Sequence, residues 1–201
     1  MSSALAPHAA FTFSRSRRSE EPFPRLDVAS MTGWLSRRSI DGGIDEIPLG
    51  HPAGRLSLCG KHVVGPDPEH ALGEAGASAI VCLNQAYELE DRYPHYVAWL
   101  HANQPVRVVW FPIHDLHAPG MAEVVPFLER LEALLDGGHH LLMHCGAGIG
   151  RAGTMAASLL IRRGVAMQDA LQIVSDHRPM AGPEAGTQRQ LIADLAAQST
   201  R

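Results

Sequence analysis

Three short apolar runs constrain this chain more than any other feature. Ala79–Leu83 (AIVCL), Val106–Ile113 (VRVVWFPI) and His140–His144 (HLLMH) are separated by stretches of helical periodicity. Apolar residues in unbroken runs, without alternation, point to strands covered on both faces, as in parallel sheets packed under crossover helices. Arg55–Cys59 (RLSLC) supplies a fourth strand. Pro68–Gly76 reads as a short helix stopped by glycine, and Tyr87–Ala102 as a helix interrupted at Pro94. Val124, Val125, Leu128, Leu131, Leu134 and Leu135 make one apolar helical face that ends at Gly137 and Gly138. After the last strand, Ala152, Met155, Ala156, Leu159 and Leu160 recur at helical spacing up to Gly164. Two further helices, near Met167–His177 and Thr187–Ala197, close the chain. This alternation predicts an α/β fold with a central, mostly parallel sheet flanked by helices.

The 201 residues suffice for one domain, placed at residues 41–201. Residues 1–40 are expected to be a disordered or loosely packed tail. Its first part is rich in Ala, Ser and Arg, without periodicity, and Arg15, Arg17 and Arg18 follow its apolar residues where a secretory signal would have them first. With 17 Lys+Arg against 21 Asp+Glu, the net charge of -4 gives no basic field for nucleic acid. Three cysteines do not make a disulfide scaffold, and no apolar run approaches the roughly 18 residues of a membrane span. A cytoplasmic location is expected. Twelve histidines raise the question of a metal. There is no Cys-x-x-Cys or HExxH pattern, and the adjacent His139 and His140 face opposite ways on a strand, so neither a metal nor a cofactor is expected.

The chemistry is concentrated in HHLLMHCGAGIGRAGT, which starts at His139. A strand delivers Cys145, the loop Gly146, Ala147, Gly148, Ile149, Gly150 follows, and Arg151 opens a helix. Glycines at three of those five positions let successive N–H groups turn inward as an anion nest. The helix behind it adds its positive end, and Arg151 can fork two donors onto a phosphate. A thiol at the floor of such a nest is expected to ionise readily and to attack a bound phosphoryl group. A Walker-type loop is excluded, because no Gly-Lys-Ser/Thr follows the glycines.

HCGAGIGRAGT resembles the HC-x5-R loop of the cysteine-dependent protein tyrosine and dual-specificity phosphatases, departing mainly at Gly146 and Ala152. The resemblance covers roughly residues 45–198. Within the superfamily it is similar to the compact group around the cyclin-dependent-kinase-associated phosphatase and small bacterial dual-specificity-like enzymes, through RLSLCG, AIVCLN and the PIHD loop. It implies a metal-independent phosphomonoester hydrolase that acts on phosphoproteins or phosphopeptides through a cysteinyl-phosphate. Asp115, followed four residues on by Pro119, takes the place of the general acid. Gln188, in GTQRQL, takes that of a water-positioning glutamine. His144 would support the thiolate and the loop.

Several readings stay open. Asp115 also fits a helix cap, and Gln188 a solvated helix position. The resemblance makes Cys82 a candidate disulfide partner of Cys145, while a buried apolar cysteine is equally compatible. Ala152 stands where the family has a Ser or Thr that helps the thiolate leave, which implies slow hydrolysis of the intermediate unless Thr154 compensates. A phosphoinositide or RNA 5′-triphosphate phosphatase and a phosphate-binding pseudophosphatase are the alternatives, the first two disfavoured by the apolar Ala147 and Ile149.

Overall fold

The computed structural model describes residues 42–50 and 53–199; the expected tail, residues 1–40, lies outside them. Among the described residues five strands form one sheet: β1 (Asp45–Ile47), β2 (Arg55–Gly60), β3 (Ala79–Cys82), β4 (Val108–Trp110) and β5 (His140–Cys145). Their order is β1-β2-β5-β3-β4, with β1 antiparallel to β2 and the other pairs parallel. The expected fold class is therefore the observed one. The four strands read from apolar runs are all present, although the third shrinks to Val108–Trp110.

Helices among the described residues are α1 (Lys61–Val64), α2 (Pro68–Ala75), α3 (Tyr87–Glu90), α4 (Pro94–Asn103), α5 (Met121–Asp136), α6 (Gly150–Arg162), α7 (Met167–His177) and α8 (Gly186–Ser199). Pro94 divides the expected 87–102 helix, because it cannot donate within a helix and opens the new one at its first position. Asp67 caps α2 by accepting from the His70 N–H at 3.0 Å, and Gly76 ends it in the left-handed region at φ +61°. The edge strand β1 and the four-residue α1 carry too little pattern to be foreseen.

The sheet separates two cores. Val124, Phe127, Leu128, Leu131 and Leu135 of α5 pack with α6, α7 and α8 against Leu141, Met143 and Cys145. On the other face Leu72, Leu89, Tyr96 and Leu100 cover Cys59, Ile80, Cys82 and Leu142. The central strand β5 thus sends alternate side chains into different cores. Buried on nearly every side from Gly150 to Ile161, α6 sits in the interior, and small residues such as Gly153, Ala156 and Ala157 admit its neighbours. Cys145 emerges at the carboxyl end of β5, between the ends of β2 and β3, where open α/β sheets place their ligand crevices.

Leu128 is wholly buried, so Leu128→Ala is expected to cost about 2–5 kcal/mol in urea unfolding. Val106→Ala, at a residue 82% exposed, is expected to stay within about 0.5 kcal/mol of wild type in the same measurement.

Candidate active site

The loop from Gly146 to Gly150 joins the end of β5 to the first turn of α6 and brings Cys145 and Arg151 together. Both are buried, each with 3% of its surface exposed. The Arg151 guanidinium is tied on three sides. Glu88, on α3, takes its outer edge in a bidentate pair, Nη1 to Oε1 at 2.7 Å and Nη2 to Oε2 at 2.8 Å. Nη1 also donates to Ile113 O at 2.8 Å, and Asp115 Oδ1 lies 3.1 Å from Nη2. The buried Nε–H has no protein partner. With Glu88 and Ile113 O on the Nη groups and Asp115 against Nη2, Nε–H is the guanidinium donor left without a protein partner.

Glu88 was not singled out from sequence. Burial pushes its carboxyl up, but hydrogen bonds from Arg151, the Gln85 N–H and Asn84 outweigh that and hold it below the ordinary glutamate range. Burial likewise works against the charge on Arg151, while Glu88, Cys145 and Asp115 hold it above the usual arginine value. The one sequence signal for Glu88 was an acidic residue shortly after a buried strand, which is too common to carry weight.

Asp115 sits on the loop between β4 and α5 with its side chain 67% exposed. The loop folds tightly here: His117 Nδ1 pairs with Asp115 O at 2.7 Å, and Leu116 takes a left-handed φ of +58°. Reading Asp115 as a cap fails, since the residue before α5 is Gly120. Gln188 is 1% exposed, and its carboxamide is engaged at both ends. Oε1 accepts from the Glu184 and Ala185 N–H groups at 2.8 and 3.4 Å, and Nε2 donates to His117 O at 3.3 Å. The solvated-helix reading of Gln188 is thereby excluded, and the residue ties the Asp115 loop to the start of α8. Just ahead of it, the Glu184 carboxylate lies against Gly150, where a β-carbon would overlap it.

His144, directly before Cys145, is fully buried, and its Nε2 shares a 2.7 Å hydrogen bond with the Tyr96 hydroxyl. Burial, reinforced by the charge of Arg151, lowers its pKa to about 3. His140 and His144 are four residues apart, but on a strand, and each has its own partners: Ser57 Oγ and Gly76 O for His140, Tyr96 for His144. No group of three metal-ligating side chains occurs among the described residues. Thr154 donates its hydroxyl proton to Gly150 O at 2.7 Å, one helical turn back, so that proton is committed. Cys82 is a free, buried thiol whose pKa burial raises well above the ordinary cysteine value. It packs with Cys59 in the core facing away from Cys145, as alternation along neighbouring strands dictates.

A cysteine and an arginine thus flank a glycine loop between a strand and a helix, with an aspartate carboxylate beside the arginine. Residues 58–201 match the family described as the Swiss Army Knife protein, DSP-PTPase phosphatase domain, and the chain belongs to that family. It is 27% identical over 100 residues to the phosphatidylinositol 3,4,5-trisphosphate 3-phosphatase and protein-tyrosine-phosphatase PTEN1 of Arabidopsis thaliana, covering 49% of this chain and 21% of that protein. Over 64 residues it is 31% identical to laforin of Mus musculus, covering 31% of this chain and 19% of laforin. The chain thus spans about a fifth of the length of these relatives. Among solved structures, kinase associated phosphatase superposes with a TM-score of 0.65 at 22% identity, covering 79% of this chain and 96% of that one. No helix among the described residues is long and apolar enough to cross a membrane.

Two outcomes follow from this geometry. Glu88→Gln keeps the shape but breaks the bidentate pair, and kcat/KM on p-nitrophenyl phosphate is expected to fall about 10- to 100-fold. Unfolding followed against pH reads His144: it must be neutral when buried but takes a proton at its ordinary value of 6.5 once unfolded. Its contribution is therefore fully present above pH 6.5 and is lost as pH falls from there toward 3, by at most about 1.4 kcal/mol per pH unit. His144→Gln is expected to flatten that slope.

Proposed function

We propose that this protein is a metal-independent phosphomonoester hydrolase of the protein tyrosine and dual-specificity type, acting on phosphoproteins or phosphopeptides. The observation that carries this reading is the buried Arg151, held by Glu88 and Asp115 with its Nε–H left without a protein partner, at the end of the loop that starts from a buried Cys145. A phosphate dianion in the loop meets the inward N–H groups, the N-terminal end of α6 and the Nε–H of Arg151. The Asp115 carboxylate, 3.1 Å from Nη2, already rests at the margin of that site, close to where a leaving-group oxygen would lie.

The reaction has two steps. The Cys145 sulfur attacks phosphorus and forms an S–P bond, while Asp115 in its protonated form gives its proton to the departing alcohol or phenol oxygen. The loop N–H groups and Arg151 stabilise the charge on the three equatorial oxygens. The Asp115 carboxylate then takes a proton from a water, whose oxygen displaces the thiolate and releases inorganic phosphate. Gln188 acts in this scheme by holding the Asp115 loop against α8; placing the water itself would require it to release His117 O or the Glu184 N–H.

A phosphoinositide substrate is the second reading, because the PTEN1 relative carries that activity in its name. The charges around the loop favour a singly phosphorylated substrate. Ala147 and Ile149 carry no cation, the Lys61 ammonium donates to Glu88 O at 2.9 Å, and Glu184 adds a carboxylate at the loop margin.

The decisive assay is p-nitrophenyl phosphate hydrolysis between pH 5 and 8 in the presence of a chelator. A bell-shaped profile is expected, with no activity in Cys145→Ser and about 10²- to 10⁴-fold lower kcat in Asp115→Asn. Undiminished activity in Cys145→Ser would contradict the mechanism. Because Ala152 has no hydroxyl and Thr154 is committed to Gly150 O, breakdown of the intermediate is expected to limit turnover. Rapid mixing should then show a burst of p-nitrophenol, and Ala152→Ser should shrink it while raising the steady-state rate.

A further inference from the structure

We propose that Arg178, balanced by Asp45, is a positioning residue that turns the N–H groups of the phosphate loop inward and so couples the edge strand β1 to catalysis. The proposal rests on reading Cys145–Arg151 as the phosphate site. Arg178 directly follows α7 and is 3% exposed. Its Nε donates to Gly148 O at 2.7 Å and its Nη2 to Ala147 O at 2.8 Å. Nη1 donates to Asp45 Oδ2 at 2.7 Å, with Gly43 O at 3.2 Å and Gly42 O and Leu58 O at 3.3 Å. One buried side chain therefore spans the entry to β1, the middle of β2 and the back of the loop.

The consequence follows from the planar trans peptide. In each peptide unit the carbonyl of one residue and the N–H of the next point in opposite directions. Arg178 pins the carbonyls of Ala147 and Gly148, and the Lys61 N–H pins that of Gly146 at 3.0 Å. The N–H groups of Ala147, Gly148 and Ile149 must then face the opposite side, which is where an anion in the nest would sit. Gly148 belongs to the same device. It holds φ +74°, and a β-carbon there would overlap the Cys59 carbonyl and press on Nη2 of Arg178. Only glycine lets the loop lie this close to its clamp.

The fork is what matters chemically. A guanidinium can hold two adjacent carbonyls at fixed angles, whereas a lysine ammonium at the same place is a single point with no such geometry. Asp45 completes the arrangement, because a buried guanidinium needs a counter-charge, and 8% exposure keeps water from supplying it. The register Asp45↔Leu58 sets that carboxylate beside Leu58 O, another Arg178 acceptor. This gives the short antiparallel strand a use that its length alone would not suggest.

The test compares Arg178→Lys and Asp45→Asn in the full chain. Two readouts are taken: kcat and KM on p-nitrophenyl phosphate, and the affinity for inorganic phosphate by calorimetry in a Cys145→Ser background. Thermal melts establish that each variant is folded at the assay temperature. Arg178→Lys is expected to bind phosphate about tenfold more weakly and to lose at least about tenfold in kcat/KM, more of it in kcat than in KM. Asp45→Asn should move both readouts the same way, by a few-fold. Folded variants with phosphate affinity and kcat/KM within about twofold of wild type would overturn the proposal. If Arg178→Lys does not fold, Asp45→Asn decides on the same two readouts. Wild type without Cys145-dependent hydrolysis would overturn the functional reading instead, and phosphate affinity would still decide the clamp.

Discussion

A guanidinium taken out of water costs several kcal/mol unless its donors are met and its charge is answered. Arg151 is in that position, and much of the surrounding structure can be understood as the answer. Glu88 supplies the counter-charge and a matching fork, and Asn84 Nδ2 and the Gln85 N–H hold Glu88 in place at 2.7 and 2.9 Å. The stretch after β3 must therefore turn at Asn84 and begin α3 where it does. Asp115 lies against Nη2 and Ile113 O accepts from Nη1, so the chain after β4 is held against Arg151. Its Nε–H is left without a protein partner.

The parallel sheet and its helices were legible because burial on both faces leaves continuous apolar runs, and the loop because cysteine, glycines and arginine at that spacing have few other uses. Glu88 was not legible. Its partner is 63 residues away, and a bidentate pair formed across the fold leaves no local pattern. Arg178 was hidden for the same reason, since its acceptors are mostly backbone carbonyls, which any residue can offer. β1 escaped notice because three residues at a sheet edge show no periodicity. Thr154, left open as a possible substitute for the missing hydroxyl at Ala152, donates its hydroxyl to Gly150 O, an option open to any threonine inside a helix. Cys82 shows the limit of reading strands singly: only alternation across β3 and β5 reveals that it shares a core with Cys59 and not with Cys145.

The two faces of the sheet divide the work. One core packs around α6 behind the loop, and with it the helix end that carries Arg151. The other carries His144 and Tyr96, whose mutual hydrogen bond satisfies two buried polar groups without introducing a charge. Across the crevice, Gln188 joins the Asp115 loop to the segment carrying Glu184, and Thr187 Oγ1 adds a contact to Leu116 O at 3.4 Å. The Asp115 loop is thereby tied to the start of α8.

The central claim is that phosphorus passes through Cys145. It is tested most directly by mixing the protein with a slowly turned-over aryl phosphate, quenching in acid within the first turnover, and locating the phosphoryl group by peptide mass spectrometry. The account predicts a phosphoryl group bound through sulfur on the peptide containing Cys145, and absent in Cys145→Ser. Release of phenol in the first turnover with Cys145 unmodified, or a phosphoryl group on another residue, would contradict it.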